Sequence, residues 1–293
     1  MKRVKYFGIV ALVIALSSVL IYSVNREEVH LGSSMYVPSD VSFSDEKAPL
    51  EVYDVKERFE RELVINANLH SSTILIIKRA NRAFPVIEPI LKQYNVPDDF
   101  KYLAVIESAL TNAVSSAGAR GFWQFMEPTA KESGMEVTSV VDERYHLVKS
   151  THAACAYLLK AKEKFGSWTL AAASYNAGMT GISNQLEAQK VTDYYDLLLN
   201  EETSRYVFRI LALKQIMENP QNFGFAINKD DLYQLLPTKK VEVDSTINNL
   251  ADFAKGQGIN YKILKLHNPW LRDKKLPNPS KKVYVIEIPT EGY

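Results

Sequence analysis

The sequence has little that would support disulfide, metal or nucleic-acid chemistry. Its one cysteine, Cys155, can form neither an internal disulfide nor a thiolate metal cluster. The five histidines show no H-x-x-x-H spacing. The 35 Lys and Arg residues are balanced by 34 Asp and Glu, which leaves no basic excess to hold a phosphate backbone. We therefore expect no metal, no other cofactor and no nucleic-acid partner.

Long apolar runs are also scarce, and the one that stands out lies at the start of the chain. Residues 6–24 are 19 consecutive uncharged, mostly apolar positions that follow Lys2, Arg3 and Lys5. This length can span a bilayer, whereas a cleaved signal peptide normally has a shorter apolar region. We therefore predict a membrane anchor over residues 1–28, with a cleaved signal segment as the alternative. The leading positive charges favour a cytoplasmic N-terminus, which places the rest across the membrane, where a bacterium has its cell wall.

The remainder has the composition of a globular protein, with 46% hydrophobic and 24% charged residues. Residues 29–51 are rich in Ser without a sustained period, which predicts a linker. Residues 52–225 show helical spacing of apolar side chains and predict a mainly α-helical domain. One helix is expected to begin near Val52, a second is capped by Ser71-Ser72 and runs through Arg82, and a third begins at Pro85. Later helices are expected over about 98–109, 128–133, 147–165, 167–176 and 204–217.

A different pattern occupies residues 239–293. Alternating valines at 241 and 243 are followed by two short helical stretches, a Pro-rich loop and a closing apolar run at 283–288. This order predicts a small α+β domain with β-α-α-β connectivity. The predicted fold class is therefore mainly α, with a helical domain followed by this small domain.

The segment from Tyr102 to Leu110 places a carboxylate among apolar residues. On a helix, Glu107 would share a face with Leu103 and Leu110 and project toward the interior. Burial of a carboxyl group without a cation raises its pKa, as a general acid working near neutral pH requires. Most helical glutamates are solvated, so the position by itself leaves that alternative open.

Two further segments carry polar groups in small-residue or apolar surroundings. Residues 113–121 form a small-residue loop that either lets the backbone approach a ligand or only turns the chain. Gln124 is flanked by large apolar residues, so it requires a buried partner or a substrate group. Tyr175 and Asn176 precede Gly178, a pattern that also fits an ordinary capped helix.

Taken in order, these segments resemble the lytic transglycosylase family related to goose-type lysozyme, most closely its membrane-bound transglycosylase D branch. The resemblance covers residues 79–217 and implies a lysozyme-like fold for the helical domain. Glu127 and His146 depart from the family pattern, which usually has Pro and an acidic residue at these places. The motifs that carry the resemblance are Glu107-Ser108-Ala109-Leu110, Ser115-x-x-Gly118-Ala119-x-Gly121, Trp123-Gln124-Phe125-Met126, Ala173-Ser174-Tyr175-Asn176-Ala177-Gly178 and Glu202-Thr203-x-x-Tyr206-Val207.

The resemblance implies cleavage of the β-1,4 bond between N-acetylmuramic acid and N-acetylglucosamine in peptidoglycan. Glu107 would protonate the leaving oxygen and then act as base toward the muramoyl C6 hydroxyl, which leaves a 1,6-anhydro end. Glu202 could instead be structural, orienting a Tyr or an amide. The alternatives are a hydrolytic muramidase and an inactive wall-binding protein with the same fold. The implied substrate-binding residues are Ser115, Gln124, Met126, Tyr175, Asn176, Glu202 and Tyr206.

The β-α-α-β tail resembles a divergent LysM module, a fold that binds N-acetylglucosamine-containing chains. Asn268-Pro269 and the closing run at 283–289 fit, whereas the usual opening Gly-Asp-Thr is replaced by residues 243–246. A purely structural cap is the alternative. A binding module predicts that removing residues 239–293 weakens attachment to intact sacculi while turnover of short muropeptides changes little. The expected partners are thus peptidoglycan strands and, through the N-terminal segment, the membrane.

Overall fold

A computed structural model describes residues 36–292, and the predicted anchor lies outside these described residues. Two short strands, β1 (Ser42–Phe43) and β2 (Glu46–Lys47), precede a series of helices, and two further strands close the chain, β3 (Thr238–Val243) and β4 (Tyr284–Pro289). The helices are α1 (Tyr53–Asn68), α2 (His70–Gln93), α3 (Lys101–Ser108), α4 (Glu127–Glu132), α5 (Leu147–Phe165), α6 (Trp168–Ala177), α7 (Met179–Gln189), α8 (Glu201–Glu218), α9 (Leu250–Gly256) and α10 (Tyr261–His267).

The helical region is built from amphipathic helices whose apolar faces meet. In α1 the buried side chains include Val55, Phe59 and Leu63, which is the helical spacing that the sequence shows. Helix α1 packs along α8, while α5 packs against α2 and α6, and α6 also contacts α7 and α8. Helix α3 lies against α8, so its side chains are enclosed by the longer helices.

One helix prediction is wrong, and one helix of the structure was not predicted. The chain does not break before Pro85, because α2 continues through Pro85 and Pro89. Its buried residues Ala80, Ala83 and Ile87 form one continuous apolar face, and burial of that face holds the helix together despite the lost backbone donors. Helix α7 was not predicted at all.

The predicted linker over residues 29–51 is wrong in its second half. Strands β1 and β2 form an antiparallel hairpin, and Val41, Phe43 and Ala48 are fully buried. From the hairpin, Glu46 reaches the first turn of α6 and accepts hydrogen bonds from the backbone N–H groups of Trp168 (2.6 Å) and Thr169 (2.8 Å). This segment is therefore part of the helical fold.

The C-terminal strands confirm the β-α-α-β prediction. Strand β3 pairs antiparallel with β4, with Thr238 opposite Pro289 and Val243 opposite Tyr284, and helices α9 and α10 lie between them in the chain. This module is not separate from the helical region, since its apolar core includes Val141. Residues from Val37 onward form one compact unit.

Among residues 36–292, every helix is too short or too polar to cross a membrane.

Candidate active site

Glu107 lies in the last turn of α3, where the helix ends abruptly. The next two residues, Ala109 and Leu110, have left-handed backbones with φ of 51° and 55°, which turn the chain away from the helix axis. The Glu107 carboxylate accepts a hydrogen bond from the Tyr206 hydroxyl on α8. The predicted inward placement of Glu107 is therefore confirmed, while Leu110 lies beyond the helix end.

The surroundings of Glu107 leave its carboxyl partly protonated near neutral pH. Burial raises the pKa of Glu107 to about 7, although the Tyr206 hydroxyl and the positive charge of Arg209 act in the opposite direction. The negative charge of Glu202 adds a smaller upward contribution to this pKa. A carboxyl group with such a pKa can both donate and accept a proton near pH 7.

Two arginines that were not among the predicted site residues hold the end of α3. Arg209 donates to the Ile106 carbonyl (2.9 Å) and Arg79 donates to the Ala109 carbonyl (3.2 Å). Both carbonyls belong to the C-terminal end of a helix, where cations are favourable. The position of Arg209, three residues after Tyr206 on α8, is a pattern from which it could have been predicted.

Tyr175 lies near this carboxyl, and its ring packs against the rings of Tyr157 and Phe125. The Tyr175 hydroxyl donates to the Trp123 carbonyl (2.9 Å), and the Tyr175 ring meets Tyr157 edge-on at 5.2 Å. Burial, together with the nearby Glu107 charge, raises the pKa of Tyr175 well above its usual value. The phenol therefore stays protonated and acts as a hydrogen-bond donor.

The loop over residues 113–126, here the cleft loop, is held in shape by its own polar groups. The Ser115 hydroxyl accepts from the Ala119 N–H (3.0 Å), and the Gln124 amide donates to the carbonyls of Ala113 (3.1 Å) and Gly121 (2.7 Å). Gln124 itself has a left-handed backbone with φ of 49°. Gln124 was expected to bond either to a buried protein group or to a substrate group. The structure shows the first of these, because the Gln124 amide nitrogen bonds to two carbonyls of the loop and links its two ends.

Three other predicted substrate-binding residues, Met126, Asn176 and Glu202, are partly or fully exposed. Met126, directly before α4, is 42% exposed despite its apolar side chain. Asn176 donates to Glu202 (3.0 Å) and accepts from the Thr203 hydroxyl (2.8 Å). Glu202 thus orients an amide, as its structural alternative required, while its side chain remains exposed to the solvent.

The two departures from the family pattern have different surroundings. Glu127 is exposed and pairs with Lys131 (2.7 Å) within α4. His146 is stacked on Trp270 of the C-terminal module with ring centroids 5.9 Å apart, and burial lowers its pKa to about 4. Within residues 36–292, no group of three or more His, Cys, Asp or Glu side chains is arranged to hold a metal ion.

Comparison with protein families gives the class of the fold and site just described. The Transglycosylase SLT domain matches residues 84–198, a range that contains Glu107, the cleft loop and Tyr175. The Soluble lytic transglycosylase C-terminal LysM-like domain matches residues 239–292, which form the β-α-α-β module. The chain therefore has an SLT transglycosylase domain followed by a LysM-like domain, and the predicted fold class is confirmed.

Individual relatives agree with this class. The Membrane-bound lytic murein transglycosylase D of Escherichia coli strain K12 is 30% identical over 228 residues, which are 76% of this chain and 49% of the relative. The protein of the same name from Escherichia coli O6:H1 strain CFT073 gives the same values. The chain spans about half the length of these curated relatives. The resemblance to the lytic transglycosylases is confirmed.

Proposed function

We propose that this chain is a peptidoglycan lytic transglycosylase that cleaves the β-1,4 bond between N-acetylmuramic acid and N-acetylglucosamine. The observation that carries the proposal is the Glu107 carboxyl. Burial raises its pKa to about 7, and the residue lies within the range that matches the SLT domain. The names of the relatives, which describe lytic murein transglycosylases, support the same substrate.

The reaction needs a single protein carboxyl group. Protonated Glu107 donates its proton to the glycosidic oxygen as the bond to C1 of the muramoyl residue breaks. The resulting carboxylate then takes the proton from the C6 hydroxyl of the same sugar, whose oxygen bonds to C1 and closes the 1,6-anhydro ring. Glu107 ends the cycle protonated. The sugar supplies the nucleophile that a second carboxylate or water supplies in other glycosidases.

The remaining site residues are proposed to hold the glycan. Ser115 and Gln124 lie on the cleft loop, whose carbonyl and hydroxyl groups can bond to an acetamido group. Exposed Met126 offers an apolar surface for a sugar face. The hydrogen-bonded pair of Asn176 and Glu202 would contact the glycan on another side. Tyr206 would orient the carboxyl through its hydroxyl, and Tyr175, held by the Trp123 carbonyl, would contact the sugar.

The test is Glu107→Gln with mass analysis of the muropeptides released from purified sacculi. The amide keeps the side-chain volume and cannot donate the acidic proton, so turnover should fall at least about 1000-fold while the circular dichroism spectrum stays unchanged. The exposed Glu132→Gln in α4 is the matched control and should retain activity.

The products distinguish the candidate functions. Anhydro-muropeptides from the wild type support the proposal, and hydrated products would show a muramidase instead. No products would indicate an inactive wall-binding protein. Substantial turnover by Glu107→Gln would refute the assignment of the acid.

We further propose that the chain acts at the bacterial cell envelope, attached to the membrane through residues 6–24 and facing the periplasm or wall. The apolar length of that segment and the words "membrane-bound" in the names of the relatives support this location. The protein should remain in the membrane fraction after a high-salt wash and keep Met1. A soluble form that begins near Asn25 would contradict it.

The proposed division is a catalytic domain over 52–225, extended by the hairpin, and a glycan-binding module over 239–293. A depression of about 530 Å³ lies between β3 and α9 and is lined by residues 241–249, Asp252 and Phe253. Polar groups beside an apolar ring suit a sugar. Asn248→Ala, at an exposed position there, should weaken sacculus binding without changing turnover of short muropeptides; unchanged binding would count against this surface.

A further inference from the structure

The segment Glu136–His146, here the junction segment, connects the helical domain to the C-terminal module through its backbone. The Asp142 N–H donates to the Trp270 carbonyl (2.9 Å), and the Arg272 N–H donates to the Val140 carbonyl (2.7 Å). The side chains of Val141 and Tyr145 lie in the apolar core of the module. The junction segment is therefore shared by both parts of the protein.

Three polar side chains of the module, here called the clasp, contact side chains of the junction segment. The Arg272 guanidinium lies over the Tyr145 ring, 4.2 Å from its centroid. Lys282 pairs with Glu136 (2.6 Å) and Glu143 (3.4 Å), and the Tyr284 hydroxyl donates to Glu136 (3.0 Å). The clasp residues are Arg272, Lys282 and Tyr284.

The junction segment also contacts the cleft loop, through Arg144. Arg144 is almost fully buried and forms a two-pronged pair with Asp142 through Nε (2.9 Å) and Nη2 (2.7 Å). Its third nitrogen, Nη1, points to the carbonyls of Gly118 (3.4 Å) and Phe125 (3.5 Å) in the cleft loop. A Cβ atom added to Gly121 would lie only 1.9 Å from the carbonyl oxygen of Arg144, so the two backbones are packed closely together. The cleft loop and Arg144 are thus in direct contact.

The segment that connects the helical domain to the C-terminal module is bonded to α2 at Tyr233. The Tyr233 N–H donates to the Lys78 carbonyl of α2 (3.1 Å), and Asn81 donates to the Tyr233 carbonyl (3.2 Å). The Lys78 ammonium lies 5.2 Å from the centre of the Tyr233 ring. The module is therefore held at its connecting segment as well as at the junction segment.

We propose that Arg144 is a positioning residue for the cleft loop and that docking of the C-terminal module through the clasp keeps Arg144 in place. The orientation of the guanidinium depends on Asp142, and the backbone of Asp142 is bonded to Trp270 of the module. A shift of the junction segment therefore moves the carbonyls and hydroxyl that would face the glycan. The effect on catalysis rests on the proposed function, whereas the effect on loop order does not.

The test compares the full chain with the clasp variant Arg272→Ala/Lys282→Ala/Tyr284→Phe, which leaves the apolar core of the module intact. Hydrogen exchange of the Ser115, Arg120 and Gly121 amides, all bonded within the cleft loop, should become about tenfold faster. The KM for a short soluble muropeptide should rise about tenfold with a smaller change in kcat, because the loop residues would bind the sugars before and during the reaction.

The matched control removes two cations and a hydroxyl elsewhere on the same module. Lys255→Ala/Tyr261→Phe/Lys262→Ala changes exposed positions on α9 and α10 that lie outside the junction. This variant should show wild-type exchange and wild-type KM. Equal exchange rates and equal KM values in the clasp and control variants would overturn the proposal.

A second variant covers the case in which the clasp variant does not fold. Arg144→Lys keeps the charge beside Asp142 but cannot reach the Gly118 and Phe125 carbonyls at the same time. A positioning role predicts a higher KM and faster exchange of the loop amides. A purely structural role would lower the folded fraction and thus the apparent kcat, leave KM unchanged, and refute the proposal. If the wild type cleaves nothing, the proposed function fails, and the exchange rates still decide whether the module orders the loop.

Discussion

The contact between Tyr206 and Glu107 makes a quantitative prediction about the pH dependence of activity. The Tyr206 hydroxyl donates to the charged form of the carboxyl and therefore lowers the Glu107 pKa, which burial has raised to about 7. Tyr206→Phe removes this donor and keeps the buried ring. The pKa of Glu107 should then rise further, because only Arg209 still favours the carboxylate.

The magnitude follows from the strength of a hydrogen bond to a charged group. Such a bond contributes about 1.5–3 kcal/mol, and one pKa unit corresponds to about 1.4 kcal/mol, so the shift should be about 1–2 units. A general acid must be protonated in the free enzyme. The alkaline limb of the kcat/KM profile should therefore move from about pH 7 to about pH 8 or above, although the maximal rate falls when the carboxyl loses its orienting partner.

The assay is the initial rate of muropeptide release across pH 5 to 10, and the position of the limb is the quantity that decides. Tyr102→Phe is the matched control. Tyr102 lies on α3, as Glu107 does, but its hydroxyl contacts a different carboxylate, that of Glu218 (3.4 Å). Its limb should coincide with the wild-type limb. A Tyr206→Phe limb that stays in place or moves to lower pH would refute the assignment of Glu107 as the titrating acid.

Two further predictions concern stability, measured by urea unfolding. Burial would raise the pKa of Glu46, but hydrogen bonds from the start of α6 outweigh burial and lower this pKa. The ionised carboxylate therefore stabilises the fold above pH 4.5, the ordinary pKa, and this stabilisation is lost as the pH falls below that value. Glu46→Gln should cost about 1–2 kcal/mol at pH 7 and less at pH 3, whereas the exposed Glu51→Gln should cost little at either pH. An equal loss for Glu46→Gln at both pH values would contradict this account. Gly121→Ala should cost roughly 2–4 kcal/mol more than Gly134→Ala, which has a similar positive φ and open space, so equal losses would show that the contact with Arg144 is unimportant.

The sequence by itself determined the elements whose periodicity is local. Helix α5 has the predicted bounds of Leu147 and Phe165, and the two strands and two helices of the tail appear in the predicted order. Glu107 could be singled out because a charge on the apolar side of a short helix conflicts with the pattern around it. Such features depend on neighbours three or four positions apart, which one sequence displays directly.

Long-range contacts decided the features that the sequence did not reveal. The hairpin at 42–47 looked like a linker because a two-residue strand has no period to detect, and its place is fixed by Glu46 at the start of α6, more than 120 residues further along the chain. Pro85 indicated a break, yet the buried face of α2 outweighs the loss of one backbone hydrogen bond.

The same reason explains the site. Tyr206 belonged to a recognisable motif, but only the packing of α8 on α3 places its hydroxyl on Glu107 and brings Arg209 to the end of that helix. Docking of the C-terminal module depends on Trp270 and the junction segment, which are separated by more than 120 residues and have no common pattern. Burial and charge act through space, so the pKa of Glu107 and the support of the cleft loop were set by the tertiary structure.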